Sequence, residues 1–147
     1  MLIYQLLSKK LEFIACVTVL IVAFLHVTAS YISLYEIVWW FDIPMHLGGG
    51  FFVGSYVLSV FFGKKYFVDY TKNELTIIAF PLLVTLCVAL GWEVFEYAFR
   101  AGGNPYFSYA FDTGKDIVNG LVGSLCASVA VLTISRKNAY FLNRKNT

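Results

Sequence analysis

The chain has 147 residues, of which 59% are hydrophobic and only 14% are charged, and its mean hydropathy is +0.72. Soluble domains carry about a quarter charged residues, so this composition excludes an ordinary soluble protein. A net charge of +2 without one continuous basic patch excludes nucleic acid as a partner. Length and composition together predict a single all-α domain, residues 1–147, whose partner is the lipid bilayer.

Four apolar segments are long enough to cross a hydrocarbon core of roughly 30 Å as helices. They cover residues 11–31, 42–62, 75–99 and 113–134. An aromatic connection at residues 31–41 joins the first two segments and is typical of a turn at the level of the lipid headgroups. A basic loop follows the second segment, and a turn-rich aromatic loop, residues 101–111, precedes the fourth. The chain is therefore predicted to be an integral membrane bundle of about four transmembrane helices.

Lysine and arginine residues are distributed unevenly across this topology. Of the 11, nine fall on the side that holds both termini and two fall on the opposite side. Because cytoplasmic loops carry the excess of Lys and Arg, both termini are predicted to be cytoplasmic. The nine are Lys9, Lys10, Lys64, Lys65, Lys72, Arg136, Lys137, Arg144 and Lys145; the two are Arg100 and Lys115.

The third segment ends in two acids, Glu93 and Glu96, which are the only charged residues between positions 75 and 99. An acid at membrane depth is costly unless it is paired, hydrated or neutralised, so these glutamates indicate a functional site. His26, near the far end of the first segment, is expected to bond to a neighbouring helix or to interfacial water.

Three of the predicted helices carry polar residues at one depth near the outer face. Counting about 1.5 Å per residue from each cytoplasmic end places an inner set at about 24–27 Å and an outer set about one turn further. The inner set is His46, Glu93 and Asp116, and the outer set is Asp42, Glu96 and Asp112. On the fourth segment, Asp112, Asp116, Asn119 and Gly123 follow helical spacing and form one stripe.

Five carboxylates in one layer would repel one another, so some must be protonated or balanced by cations. A divalent metal would balance them, and carboxylates with one imidazole suit Mg²⁺, Mn²⁺, Fe²⁺ or Zn²⁺. The three cysteines lie in apolar runs without a CxxC pair, which predicts packing residues rather than a thiolate site. The predicted metal ligands are Asp42, His46, Glu93 and Asp116.

The leading interpretation is a metal-assisted hydrolase or transferase that acts on a lipid-linked phosphate or ester at the outer leaflet. Glu96 or Asp112 would be the catalytic general base. Arg100 and Lys115 would bind an anionic headgroup, and Asn119 would complete the substrate-binding set.

Two alternatives to an enzyme remain open. In the first, the same acids form a relay in a proton- or cation-coupled transport component. A relay should continue across the membrane, and below the acidic layer the segments offer only scattered serine and threonine residues. In the second, the protein is not catalytic and the polar cluster fixes helix packing, with His46 and Asn119 as hydrogen-bond donors.

Three motifs in this order resemble the VanZ-like superfamily. They are Asp42-x-x-x-His46, Trp92-Glu93-Val94-Phe95-Glu96 and Asp112-x-x-x-Asp116-x-x-Asn119-x-x-Gly123, and the resemblance covers residues 40–128. The chain is most similar to the YjdF-type small membrane proteins, because Glu96 stands where VanZ proteins often have Gln and the downstream Pro-x-Arg is absent. The resemblance implies a small multi-helix protein of the bacterial inner membrane with an Asp/His/Glu/Asp cluster.

Overall fold

The computed structural model describes residues 2–63, 73–99 and 107–145, and it describes side chains in residues 5–63, 73–99 and 107–135. Every regular element in these ranges is a helix. In chain order they are α1 (Leu2–Tyr31), α2 (Leu34–Ile37), α3 (Asp42–Gly63), α4 (Glu74–Phe99) and α5 (Tyr109–Lys145). The predicted all-α class is therefore confirmed. The basic loop and most of the aromatic loop, including Arg100, lie outside the described residues.

Four of the helices are long and apolar enough to cross a membrane, which confirms the predicted number of spans. They are Gln5–Tyr31, Asp42–Gly63, Glu74–Phe99 and Tyr109–Ser135. Their outer surfaces carry large exposed apolar side chains such as Phe13, Phe24 and Val94, as expected of surfaces that face lipid. The three cysteines are also exposed, so the prediction that they are packing residues is wrong: they lie on the outer surface of α1, α4 and α5. The sequence could not distinguish a lipid-facing position from a helix-facing one, because both are apolar.

Helix α3 lies at the centre of the bundle and packs against α1, α4 and α5. Glycines allow this packing to be close. A Cβ built on Gly50 would collide with the backbone carbonyl of Gly120, and one on Gly54 would lie 2.9 Å from Ser124 Cα. Gly50 contacts Gly120, and Gly54, one turn later, contacts Ser124, one turn after Gly120. Helices α3 and α5 are therefore parallel and begin at the same end of the bundle, which is called the site end below. Small residues four apart are the usual basis of such close helix pairs in membranes.

The end opposite the site end contains the main apolar core. It consists of Leu7, Leu11, Leu58, Phe62, Ile77, Ala127 and Val131, all buried. Near it, the buried hydroxyl of Ser8 donates a hydrogen bond to the Ser59 carbonyl at 2.8 Å, which ties the start of α1 to the end of α3. The two helices are therefore antiparallel. The polar residues discussed below are at the other end.

Candidate functional site

The centre of the candidate site is a triad formed by Asp42, His46 and Asp116. Asp42 and His46 lie one turn apart on α3, and Asp116 faces them from the parallel helix α5. His46 Nε2 is 3.1 Å from Asp42 Oδ1 and 3.7 Å from Asp116 Oδ2. One potential ligand atom from each of the three residues lies within 4.8 Å of the others. The close approach of α3 and α5 thus brings together three of the four predicted metal ligands.

Lys115 is in contact with all three aspartates at the site end. Its Nζ lies 2.7 Å from Asp112 Oδ1, 3.2 Å from Asp42 Oδ2 and 3.3 Å from Asp116 Oδ1. The last contact lacks hydrogen-bond geometry, so Asp116 Oδ1 is buried without a hydrogen-bond partner among the described residues. Lys115 therefore balances one of the three carboxylates. If all three are ionised, even a protonated His46 leaves the group with a net negative charge.

Helices α3 and α5 both begin at the site end, and their N-termini affect the stability of the carboxylate charges there. Asp42 lies in the first turn of α3 and Asp112 in the first turn of α5. The positive ends of both helix dipoles therefore point toward the carboxylates, an arrangement that stabilises negative charge by roughly 0.3–1 kcal/mol per helix. This helps to explain why three acids can share a site with a single lysine.

Glu93, the fourth predicted ligand, lies beside the triad and has a different partner. Its carboxylate is buried, with 7% of the residue exposed, and accepts a hydrogen bond from Thr113 Oγ1 at 2.7 Å. Tyr109, one turn before Thr113, donates its hydroxyl to the Glu93 carbonyl at 3.2 Å. These bonds hold the end of α4 against the start of α5. A role for Glu93 as a metal ligand stays a prediction.

Glu96 belongs to a second group of polar and aromatic residues between α1, α2 and α4. It accepts a hydrogen bond from Trp92 Nε1 at 2.8 Å, and the Trp92 ring is 6.1 Å from the ring of His26. His26 Nδ1 forms a 2.8 Å hydrogen bond with the hydroxyl of Tyr35, as expected for a histidine that bonds to a neighbouring helix. Burial raises the pKa of the Tyr35 phenol, and the nearby carboxylates of Asp42 and Glu96 raise it further. The Tyr35 phenol therefore senses the charge of Asp42 in the triad as well as that of Glu96.

Aromatic rings lie against Lys115 on the side of the predicted aromatic loop. Phe107 lies with its ring centre 5.4 Å from Lys115 Nζ and packs edge-on against Trp39 at 6.2 Å. Phe111, in the first turn of α5, packs against Phe107 with the ring centres 5.2 Å apart and the planes tilted. The described part of the loop therefore contacts the charged cluster through Lys115.

The remaining predicted site residue in the described range, Asn119, lies about one turn deeper than Lys115. Its side-chain nitrogen is buried without a hydrogen-bond partner among the described residues. Lys115 and Asn119 also line a shallow groove of about 400 Å³ on the outer side of α5, together with Ala110, Phe111, Gly114 and Val118. Two predicted substrate-binding residues thus share one mostly apolar groove.

The donor set of the triad fits a divalent cation. Two carboxylates and one imidazole are hard or borderline ligands of the kind that bind Mg²⁺, Mn²⁺, Fe²⁺ or Zn²⁺. Three carboxylates around one lysine, and an Asp116 oxygen buried without a hydrogen-bond partner among the described residues, provide an electrostatic reason for such an ion. Arrangements with three protein ligands leave coordination positions open for water or substrate.

Several residues of the site were not anticipated from the sequence. Tyr35, Trp92, Tyr109 and Thr113 each form a hydrogen bond to a predicted residue or to His26. A partial signal existed, because Tyr109, Thr113 and Asp116 lie at helical spacing on one face of α5. Tyr35 gave none, since it lies in a one-turn helix within the aromatic connection.

Comparison with known proteins gives a family but no activity. A family model described as predicted membrane protein (DUF2238) matches residues 1–138. No curated protein and no solved structure matches the chain.

Proposed function

We propose a function for this chain, which belongs to the DUF2238 family of predicted membrane proteins. The proposal rests on the geometry of its site and is a metal-assisted hydrolase or transferase of the membrane. Its substrate would be a lipid-linked phosphate or ester. The supporting observation is the triad, in which Asp42, His46 and Asp116 bring potential ligand atoms within 4.8 Å of one another.

A divalent ion held by these residues would act as a Lewis acid toward a phosphoryl or carbonyl oxygen and would lower the pKa of a bound water. The protein's own groups have complementary roles. Asp112 or Glu96 would accept a proton from the attacking water. Asp112 is the better placed of the two, because its contact with Lys115 keeps it within the same network as Asp42 and Asp116.

Lys115 and Asn119 would bind the anionic part of the substrate. Both line the groove on α5, whose other residues are apolar, and the helix surface around it faces lipid. A lipid could therefore place its chain along Phe111 and Val118 while its headgroup meets Lys115. Arg100, outside the described residues, would assist from the loop. Phe107 would limit the access of bulk water.

The distribution of Lys and Arg favours cytoplasmic termini, and this orientation would place the site at the outer leaflet. The motif resemblance to the VanZ-like superfamily and its YjdF-type members favours the bacterial inner membrane.

One observation favours a structural role for the cluster instead. Lys115 contacts all three aspartates at 2.7–3.3 Å, so a salt-bridge network can stabilise part of the charge without an ion. In that case, replacement of Asp116 would destabilise the bundle and no reaction would be found.

The activity test uses purified protein in lipid bilayers with Mg²⁺, Mn²⁺ or Zn²⁺, and separately with a chelator. Lipid diphosphates, lipid phosphomonoesters and phospholipid esters are supplied, and release of phosphate or fatty acid is measured. We expect turnover of one class by the wild type and by Glu12→Gln, an exposed acid remote from the site, and none by Asp116→Asn. Equal, background-level release by all three proteins under every metal condition would refute the proposed activity.

A further inference from the structure

A shallow groove lies on the outer surface of α1, at the end of the bundle opposite the site end. Its volume is about 380 Å³, and it is lined by Leu6, Lys9, Lys10, Phe13 and Ile14. All five side chains are exposed. We propose that this groove binds one phospholipid with a net negative headgroup, in the leaflet opposite the triad. The proposal does not depend on the metal or the reaction proposed above.

The groove faces away from the bundle. Its residues are spaced by three, four, seven and eight positions from Leu6, so they share one face of α1. The opposite face of the same turns is buried: Leu7, Leu11 and Ala15 are at most 8% exposed. The groove is therefore open to the surrounding lipid.

The depth of the groove follows from contacts between α1 and α3. The Ser8 hydroxyl donates to the Ser59 carbonyl at 2.8 Å and lies 2.6 Å from the position of a Cβ on Gly63. Lys9 is therefore level with the end of α3. Because α3 has 22 residues, it rises about 33 Å, close to the thickness of a hydrocarbon core. The two lysines thus lie near the boundary between hydrocarbon and headgroups, at the far end of α3 from Asp42.

The direction of α1 places the charged and apolar parts of the groove in the order that a phospholipid needs. Side chains on a helix lean toward its N-terminus, and α1 begins at this end. Lys9 and Lys10 therefore extend outward to the headgroups, as lysines near a membrane boundary do. Phe13 lies four residues after Lys9, about 6 Å further into the membrane. Its ring and the Ile14 side chain are placed beside the acyl chains.

The two lysines have positive charge available for a ligand. Neither forms an ion pair with a carboxylate among the described residues, in contrast to Lys115, which contacts three. The nearest acid along α1 is Glu12, which is exposed as well. In the sequence, nine lysines and arginines fall at this end against three acids, Glu12, Asp69 and Glu74, an excess of six positive charges. Basic segments at a membrane surface attract anionic lipid headgroups.

Charge also decides between the possible occupants of the groove. A zwitterionic phospholipid would bring its own ammonium group to the two lysines. A second copy of the chain packed on the same face of α1 would bring four lysines together, and like charges at a membrane boundary repel one another. An anionic phospholipid avoids both repulsions and also covers the exposed apolar side chains of the groove.

The first test is native mass spectrometry of protein released from nanodiscs with equal amounts of phosphatidylglycerol and phosphatidylcholine. The wild-type chain should retain one phosphatidylglycerol in preference to phosphatidylcholine. Lys9→Gln together with Lys10→Gln should lower this preference by roughly tenfold or more, since each lysine at an anionic surface contributes about fivefold. The charge-matched control is Arg144→Gln together with Lys145→Gln, in the part of α5 that continues past the span. It should keep most of the preference.

Equal loss of preference in the two double variants would show a diffuse attraction to the membrane surface and would overturn the proposal. Unchanged preference in the Lys9 and Lys10 variant would overturn it too. The same spectra report the mass of the assembly, so a dimer that retains no lipid would assign the groove to a second copy and contradict a lipid site.

The second test concerns the apolar part of the groove. Phe13 and Phe24 are 71% and 70% exposed on the same helix, but Phe24 lies about 16 Å deeper in the membrane. Phe13→Ala should lower the retention of phosphatidylglycerol several-fold, and Phe24→Ala should leave it unchanged. Equal retention by the two variants would refute the role of the groove in holding the lipid.

The third test locates the lipid in an intact bilayer and leaves the groove residues unchanged. Cys16 is exposed on α1 one turn after Phe13, and a fluorophore is attached to it in a chain with Cys87→Ser and Cys126→Ser. Brominated phosphatidylglycerol should quench this fluorophore several-fold more strongly than brominated phosphatidylcholine at the same content. A fluorophore on Cys126 in the corresponding chain should show no difference. Equal quenching by the two lipids at Cys16 would overturn the proposal, and this measurement decides the question if a groove variant does not fold.

Discussion

The substitution Gly50→Ala tests the close approach of α3 and α5 that assembles the triad. A Cβ on Gly50 would lie against the Gly120 carbonyl and 2.7 Å from Gly120 Cα. Carbon atoms prefer about 3.5–4.0 Å and the carbonyl oxygen of Gly120 lies closer than its Cα, so the helices would have to separate by more than roughly 1 Å. Overpacking of this kind typically costs about 1–3 kcal/mol. The adjacent Gly49 has no heavy atom within 4 Å of its Cβ position, which makes Gly49→Ala a matched control.

We expect opposite effects from these neighbouring substitutions. Gly49→Ala should be neutral or stabilising by up to about 1 kcal/mol, because alanine favours helix more than glycine. Gly50→Ala should lower the free energy of unfolding and weaken the pairing of His46 with Asp116, which are 3.7 Å apart in the wild type. The assay is unfolding in mixed micelles with increasing denaturing detergent. Equal stability of the two variants would refute the account of this helix interface.

Three further substitutions test individual contacts of the site. Lys115→Met removes the cation among three aspartates and should lower the free energy of unfolding by about 3–5 kcal/mol when a chelator is present. Addition of a divalent ion should restore part of this loss, as measured by unfolding with and without the chelator. Thr113→Val leaves the buried Glu93 carboxylate without its donor and should cost about 1–3 kcal/mol in the same assay. Tyr35→Phe removes the hydrogen bond to His26 and should lower the unfolding free energy by about 0.5–1.5 kcal/mol.

Each of these substitutions has a control on the bundle surface. Thr133→Val removes an exposed hydroxyl that bonds only within its own helix, Tyr56→Phe alters an exposed phenol, and Lys10→Met removes an exposed lysine. Surface changes of this kind usually stay within about 0.5 kcal/mol. If a control and its site variant lost the same unfolding free energy, the site contact would not be the cause of the loss and the prediction would be contradicted.

The helices could be predicted from the sequence because their signal is local. Apolar length gave the four spans, and the end of α3 at Gly63 is one residue from the predicted limit. The ends of α1 and α5 differ more: α1 begins at Leu2 and α5 continues to Lys145. A helix does not have to end where its apolar segment ends. Hydropathy therefore predicts which part of the helix crosses the membrane and does not predict the full length of the helix.

The depth of each residue in the membrane predicted which residues form the site, but it did not predict which side chains contact one another. A rise of about 1.5 Å per residue placed Asp42, His46 and Asp116 in one layer before the helix arrangement was known. The same calculation contains no rotation of one helix about another, so it could not show that Glu93 faces Thr113 or that Lys115 lies among the aspartates.

The metal content of the purified protein tests the central claim most directly. Wild type, Asp116→Asn and Glu12→Gln are purified without chelator, equilibrated with trace divalent metals, dialysed and analysed by mass spectrometry of the elements. We predict one divalent ion per chain in the wild type and in Glu12→Gln, and its loss in Asp116→Asn. Substoichiometric metal in the wild type, equal to that of Asp116→Asn, would contradict a metal site in the triad.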